Sequence, residues 1–232
     1  HIASTYCVAW IDCLAGGARL GRSLLMLGEH ATEGPLHVQP ARSRPVPMDM
    51  PAGLLNLVSM TAFNALYFHR VRQNRTTRRI PFEPFFYPLD SLTDWNRLYG
   101  KPGFVQYQFV LPRSAGPEGL REVLLRIAQS GRGSFLAVLK LLGKANANLL
   151  SFPEEGYTLA LDFKAEPAVF ELLERLDRIV LHHGGRIYLT KDARMSEATF
   201  KAGYSRWQAF EAVRARWHAH GHFASHQSIR LG

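Results

Sequence analysis

Alternating and helically spaced apolar positions divide the middle of the chain into a short series of elements. "FVQYQFVLP" (104–112) alternates as a strand, and "PEGLREVLLRIAQSG" (117–131) puts Leu120, Val123, Leu124 and Ile127 on one helical face that stops at Gly131. "SFLAVLKLLG" (134–143) and "GYTLALDF" (156–163) read as strands on either side of the loop "KANANLLSFPEE". A second helix starts at Pro167, carries Val169, Leu172, Leu173, Leu176 and Val180 on one face and ends at Gly184 and Gly185, ahead of the strand "RIYLT" (186–190). The order β-α-β-β-α-β predicts an α+β fold: a ferredoxin-like split βαβ core, with both helices on one face of an antiparallel sheet.

Side chains alternate across such a sheet. Val105, Tyr107, Phe109 and Leu111, with Phe135, Ala137, Leu139 and Leu141 and with Tyr157, Leu159, Leu161 and Phe163, are expected under the helices. The opposite face then collects Gln106, Gln108, Lys140, Thr158, Asp162, Arg186 and Tyr188 among Leu136, Val138 and Ala160. Two amides, an ammonium, a hydroxyl and a phenol on one face suit a hydroxylated or phosphorylated ligand, although one solvated face is ordinary for an antiparallel sheet. Asp162 and Arg186 are expected to form a cross-strand ion pair.

Upstream, "TYCVAWI" and "RSLLMLGEH" flank "AGGARLG" and predict a hairpin. Residues 31–53, with prolines at 35, 40, 45, 47 and 51, predict a long surface loop. From Leu54 to Gln73 a helix is expected with Leu54, Leu57, Val58, Thr61, Ala62 and Ala65 on its apolar face, followed by Arg70, Arg72, Arg75, Arg78 and Arg79 and by an extended aromatic segment, "IPFEPFFYPLD". Downstream, a helix starts near Ser196, and Trp207, Phe210, Val213 and Trp217 form a stripe expected to be core. His218, His220, His222 and His226 have neither the partners nor the spacing of a metal set, so no metal is expected.

Composition narrows the class. The 232 residues are 47% hydrophobic and carry 28 Lys and Arg against 19 Asp and Glu, a formal charge of +9 that favours anionic partners. Cys7 and Cys13 make no disulfide framework, and no apolar run reaches the length of a membrane span. The expectation is a soluble cytoplasmic protein, at most peripheral to a membrane. The chain opens without methionine just ahead of a strand-like run, as a fragment of a longer protein would. Dinucleotide, Walker, zincin and nucleophile-elbow motifs are absent.

Several stretches together carry a family resemblance: "YCVAWIDCLAGGARLGRSLLMLGEH", "FYPLDSLTDWNRLYG", "GFVQYQFVLP", "SFLAVLKLLG", "LSFPEEGYTLALDF", "GGRIYLTKDARMSEATF" and "FASHQSIRL". In this order they resemble the C-terminal portion of FAD-linked oxidases of the vanillyl-alcohol-oxidase type, in the branch acting on polyprenylphosphoryl sugars. The resemblance implies a substrate-binding cap domain over residues 1–185 and a segment, 186–232, returning to an FAD-binding domain that lies outside this chain. It implies oxidation of a secondary alcohol of a sugar or lipid-linked sugar phosphate, with hydride passing to flavin N5, and a reductase partner to complete an epimerisation. FAD would be held mainly by the missing domain, and the fragment alone would be inactive.

Residue by residue, Lys191 matches the lysine set against the flavin ring, as a catalytic and cofactor-binding group. Tyr188 matches a position shared by cofactor and substrate; Gln108, Lys140 and Thr158 match substrate-lining positions, with Gln106 beside them. Two departures stand out: Ala160 replaces a cysteine, which removes any thiol-dependent property, and Thr158 replaces an asparagine. Without the resemblance, the same open face and the +9 charge fit a basic ferredoxin-like module for nucleic acid or a small anionic ligand. Paired stacking aromatics are missing from that face, which counts against nucleic acid.

Overall fold

The computed structural model describes residues 4–34, 43–51 and 53–232, so Pro35 and Pro40 of the expected surface loop lie outside the described residues. In chain order the strands are β1 (Tyr6–Ile11), β2 (Ser23–Gly28), β3 (Arg44–Pro45), β4 (Leu92–Thr93), β5 (Phe104–Pro112), β6 (Ala137–Leu142), β7 (Gly156–Lys164) and β8 (Arg186–Ile187). The helices are α1 (Leu57–His69), α2 (Phe82–Phe86), α3 (Gly116–Ser130), α4 (Pro167–His182), α5 (Glu197–Gly203), α6 (Trp207–Arg216) and α7 (His226–Leu231).

Six strands make one sheet in the order β2-β1-β6-β7-β5-β8, with every pairing antiparallel. The last four are the ferredoxin-like core, and the β1-β2 hairpin extends it past β6 through Ala9 opposite Leu139 and Trp10 opposite Val138. The α+β expectation therefore holds. Apolar side chains of β5 and β7 meet the stripes of α3 and α4 in a core that includes Phe109, Leu111, Leu159, Leu161, Phe163, Val123, Ile127, Leu173 and Leu176. Gly131, at φ 65°, ends α3 where a side chain would be strained. Gly156, opposite Pro112, leaves no room for a Cβ, which would come within 1.9 Å of the Leu111 carbonyl oxygen.

The tail enters this same core: Met195, Phe200, Tyr204 and Leu231 are buried in it. A buried ion pair fixes the start of this tail, with Arg194 donating to both oxygens of Asp177 at 2.7 Å while Tyr107 donates to Oδ1 at 3.0 Å.

Several expectations need correction. The strand at 186–190 contains only Arg186 and Ile187; Tyr188 N–H still reaches the Gln108 carbonyl at 2.8 Å, but the Leu189 carbonyl accepts from Gln227 and the chain coils into a tight turn over Leu189–Lys191. Phe135 precedes β6 and turns away from α3 and α4, edge-on to Phe63 and stacked with Tyr99. "IPFEPFF" is not extended: α2 makes a single helical turn, and Phe86 sits edge-on to Tyr6 at 4.9 Å.

Helix α1 forms where periodicity put it, capped by Asn56, but its faces are reversed. Asn64 is its one fully buried residue and donates to Asp12 at 2.9 Å; Tyr67 packs on Trp10 at 4.7 Å. The expected core face points outward, with Val58 77% exposed. The stripe of α6 meets the core only at its start: Trp207 packs against it, but Val213 and Trp217 are exposed. Helix α1 is bound by polar and aromatic contacts on one side, and its apolar residues are too many for that side to take up.

Candidate functional site

The sheet face away from α3 and α4 gathers the expected site residues. Strand pairing sets Gln106 opposite Asp162, Gln108 opposite Ala160, Val110 opposite Thr158, and Lys140 opposite Thr158 from the other side. An aromatic wall bounds one end: Tyr99 stacks on Phe104 at 4.9 Å and on Phe135 at 5.5 Å, while Trp95 leans on Phe104 at 4.7 Å. Across the sheet, the turn carrying Lys191 closes the β5 edge.

Within that frame the residues differ in what they offer. The Gln108 amide donates to the Thr158 hydroxyl at 3.1 Å, and that buried hydroxyl donates to the Phe109 carbonyl at 2.8 Å, so Thr158 holds Gln108 in place. Lys140 is exposed, with its ammonium reaching from the rim. Tyr188 is half-buried and stacks on the buried Phe152 at 4.4 Å, which leaves its hydroxyl as the functional end. Lys191 makes no side-chain hydrogen bond or ion pair among the described residues, and it borders, with Gln106, Tyr107 and Arg194, a small cavity of about 10 Å³ that would hold about one water.

The residue that sequence reasoning misjudged is Asp162. It does not meet Arg186, which lies opposite Val110 on β5, four residues along from Gln106; Arg186 binds Glu154 at 2.8 Å and the Ser151 carbonyl at 3.1 Å instead. Asp162 is 4% exposed, its Oδ1 accepts from Gln106 at 2.9 Å, and its Oδ2 has no partner among the described residues. Burial pushes its pKa from 3.8 to about 6, against the opposing pull of the Gln106 hydrogen bond and the Lys191 charge. The nearby Tyr99 hydroxyl is also buried without a partner among the described residues, and its pKa is raised by burial and then by the Asp162 charge. Ser134 supports the pair: its hydroxyl oxygen accepts the Asp162 N–H at 3.2 Å. The one signal in the sequence was a carboxylate inside the apolar run "LALDF".

The turn bearing Lys191 is held from both sides. Asp192 Oδ1 accepts the backbone N–H groups of Arg194 and Met195 at 2.9 and 2.7 Å, and its Oδ2 accepts from Arg230 of α7 at 2.8 Å. Burial alone would raise the Asp192 pKa, but those hydrogen bonds outweigh it and hold the carboxyl below its ordinary range. The result is a cation fixed by its backbone, near a buried carboxyl of raised pKa and two anchored amides. Such a set can take a polyhydroxylated ligand, accept a proton from it and stabilise negative charge next to it.

Over an aligned length of 236 residues the chain is 34% identical to the decaprenylphosphoryl-β-D-ribose oxidase of Mycolicibacterium smegmatis (strain ATCC 700084 / mc(2)155), covering 98% of this chain and 51% of that protein. The chain is similar to an oxidase. The resemblance read from its motifs therefore holds along its length, and it spans about half the length of that relative. An uncharacterised protein from the mprA 5′ region of Streptomyces coelicolor is 28% identical over 242 residues, covering 98% of this chain and 66% of that protein. No protein-family model matches.

Proposed function

We propose that this chain is the substrate-binding part of an FAD-dependent oxidoreductase that oxidises a secondary alcohol of a sugar or polyprenylphosphoryl sugar. The observation that carries the reading is Asp162, a buried carboxyl beside Gln106 and within electrostatic reach of Lys191; among the described residues its Oδ2 and the lysine ammonium have no hydrogen-bond partner. Oxidising an alcohol requires its hydroxyl proton to leave together with a hydride from carbon. FAD, held mainly by a domain outside this chain, supplies the hydride acceptor.

The chain's own residues fit that demand. Asp162 Oδ2 is covered in this structure and would take the hydroxyl proton once a bound alcohol parts the side chains over it; a pKa of about 6 suits it to act near neutral pH. Gln106 fixes the carboxyl through Oδ1, and Gln108, itself set by Thr158, offers a sugar hydroxyl a partner. Lys191 and the Tyr188 hydroxyl would help to hold the cofactor, the lysine supplying a fixed positive charge beside it. Lys140 at the rim meets a phosphate. The rings near this face are engaged with one another, Tyr188 on Phe152 and Tyr99 between Phe104 and Phe135, and so are not offered to nucleic-acid bases.

The test is the visible spectrum of the full-length protein before and after addition of a polyprenylphosphoryl ribose. Flavin bleaching is expected, slowed by about 10²-fold or more in Asp162→Asn, and Lys191→Ala is expected to change the unreduced flavin spectrum itself. A colourless full-length protein would sink the reading. Flavin that never bleaches would reject the substrate class.

A further inference from the structure

The outward face of α1 and the arginines that follow it take no part in the site above. Val58, Ala62 and Leu66 stand at i, i+4 and i+8 on one stripe, all exposed, with Val58 at 77% and Leu66 at 75%. The inward face is apolar as well, with Phe63 packed on Phe135 at 5.8 Å and Tyr67 on Trp10 at 4.7 Å. A helix apolar all round is ordinarily enclosed, and here the described residues enclose only one side.

Charge says what fits the other side. From Met50 to Phe82 the sequence contains no acidic residue, while Arg70, Arg72, Arg75, Arg78 and Arg79 lie at or beyond the end of the helix, all exposed. The Arg70 guanidinium lies over the Tyr67 ring at 3.7 Å, which keeps one charge at the helix terminus. Ile80 and Phe82 are exposed beside them.

We propose that α1 and residues 70–82 form a docking surface for an anionic lipid bilayer. An uncharged apolar stripe enters the acyl boundary while arginines alongside bind headgroup phosphates, a pairing that neither component achieves alone. A second copy of the chain would bring the same positive charge to the contact and be repelled. Nucleic acid would use the arginines but have no use for Val58 and Leu66. The surface adjoins the ligand face, because α1 packs on the same side of the sheet through Trp10 and Phe135. The inference stands on charge and apolarity alone, independent of the redox reading.

The experiment is sedimentation of the full-length protein with vesicles of phosphatidylcholine, with and without phosphatidylglycerol. Binding is expected only with phosphatidylglycerol, reduced at least tenfold by Val58→Asp with Leu66→Asp, and about fivefold for each of Arg75, Arg78 and Arg79 changed to glutamine. Leu66→Trp gives a second reading, an emission shift to the blue on vesicle addition. Absence of sedimentation, binding that the aspartate pair leaves unchanged, or an unshifted tryptophan would each overturn the proposal. Tighter binding to polyuridylate than to the vesicles would assign the surface to nucleic acid and overturn it too. None of these outcomes touches the flavin spectrum, so the two readings fail separately.

Discussion

Changing Asp162 to asparagine removes a charge from the sheet while keeping its shape, and the effect on stability can be worked from its surroundings. The carboxyl is buried, has one unpaired oxygen and ionises near pH 6 in the folded chain against 3.8 in a free side chain. That rise corresponds to about 3 kcal/mol, at about 1.4 kcal/mol for each tenfold in proton affinity. Its sign follows from proton counting. Between pH 4 and pH 6 the folded state keeps a proton that the unfolded state has released, so this group lowers stability as pH rises, with the full cost present above pH 6 and none below about pH 4. Asparagine carries no such cost, and Gln106 can turn its amide to pair with either end of the new side chain. Urea unfolding followed by tryptophan fluorescence at pH 4, 6 and 8 should therefore show the variant about as stable as the parent at pH 4 and about 3 kcal/mol more stable at pH 8. Glu166 and Asp192, whose pKa values are lowered, produce the opposite trend in both proteins and cancel in the difference. Parallel pH profiles would show that Asp162 is hydrated in solution and would remove the basis for its proposed role as a base.

Other consequences are equally direct. Arg194→Ala leaves Asp177 buried beside Tyr107 without its cation and should cost about 3–5 kcal/mol, read as a lower urea midpoint, whereas Tyr107→Phe should cost only about 1 kcal/mol. Asp12→Ala strands Arg22, which binds it at 2.6 Å, and releases Asn64; a loss of about 3 kcal/mol is expected, with a change in Trp10 emission as Tyr67 leaves it. Burial pushes the Cys13 thiol up to about 12, so a disulfide reagent at pH 8 should modify Cys7 in the folded protein and both cysteines only after unfolding.

Much of this was legible in the sequence because local pattern and tertiary demand agreed. Strands β5 and β7 alternate cleanly, and α3 and α4 each carry a single apolar stripe, so periodicity alone placed Phe109, Leu161, Ile127 and Leu176 in one core. The pleat also grouped Gln106, Gln108, Lys140 and Thr158 on the other face. Helix α1 misled because it is apolar on both sides, and periodicity cannot say which side a neighbour will cover. Asp162 misled for a different reason. Its partner depends on the register of β5 against β7 and on how far β8 sits along β5, and no local feature of "LALDF" fixes either. The supporting roles of Ser134 and Tyr99 come from a loop and a short turn outside the sheet pattern.

The last few residues of the chain reach further than their position suggests. Gln227 holds the Leu189 carbonyl, Arg230 grips Asp192 and the Met195 carbonyl, and Leu231 plugs into the core, so the six-residue α7 acts as a latch on the turn that presents Lys191. A latch this short works through few contacts: Gln227→Ala or Arg230→Ala removes a hold on the turn while the pairing of β5, β6 and β7 is untouched. Presentation of Lys191 thereby rests on contacts that the strand pairing does not share, and it can be lost with almost no change in secondary structure.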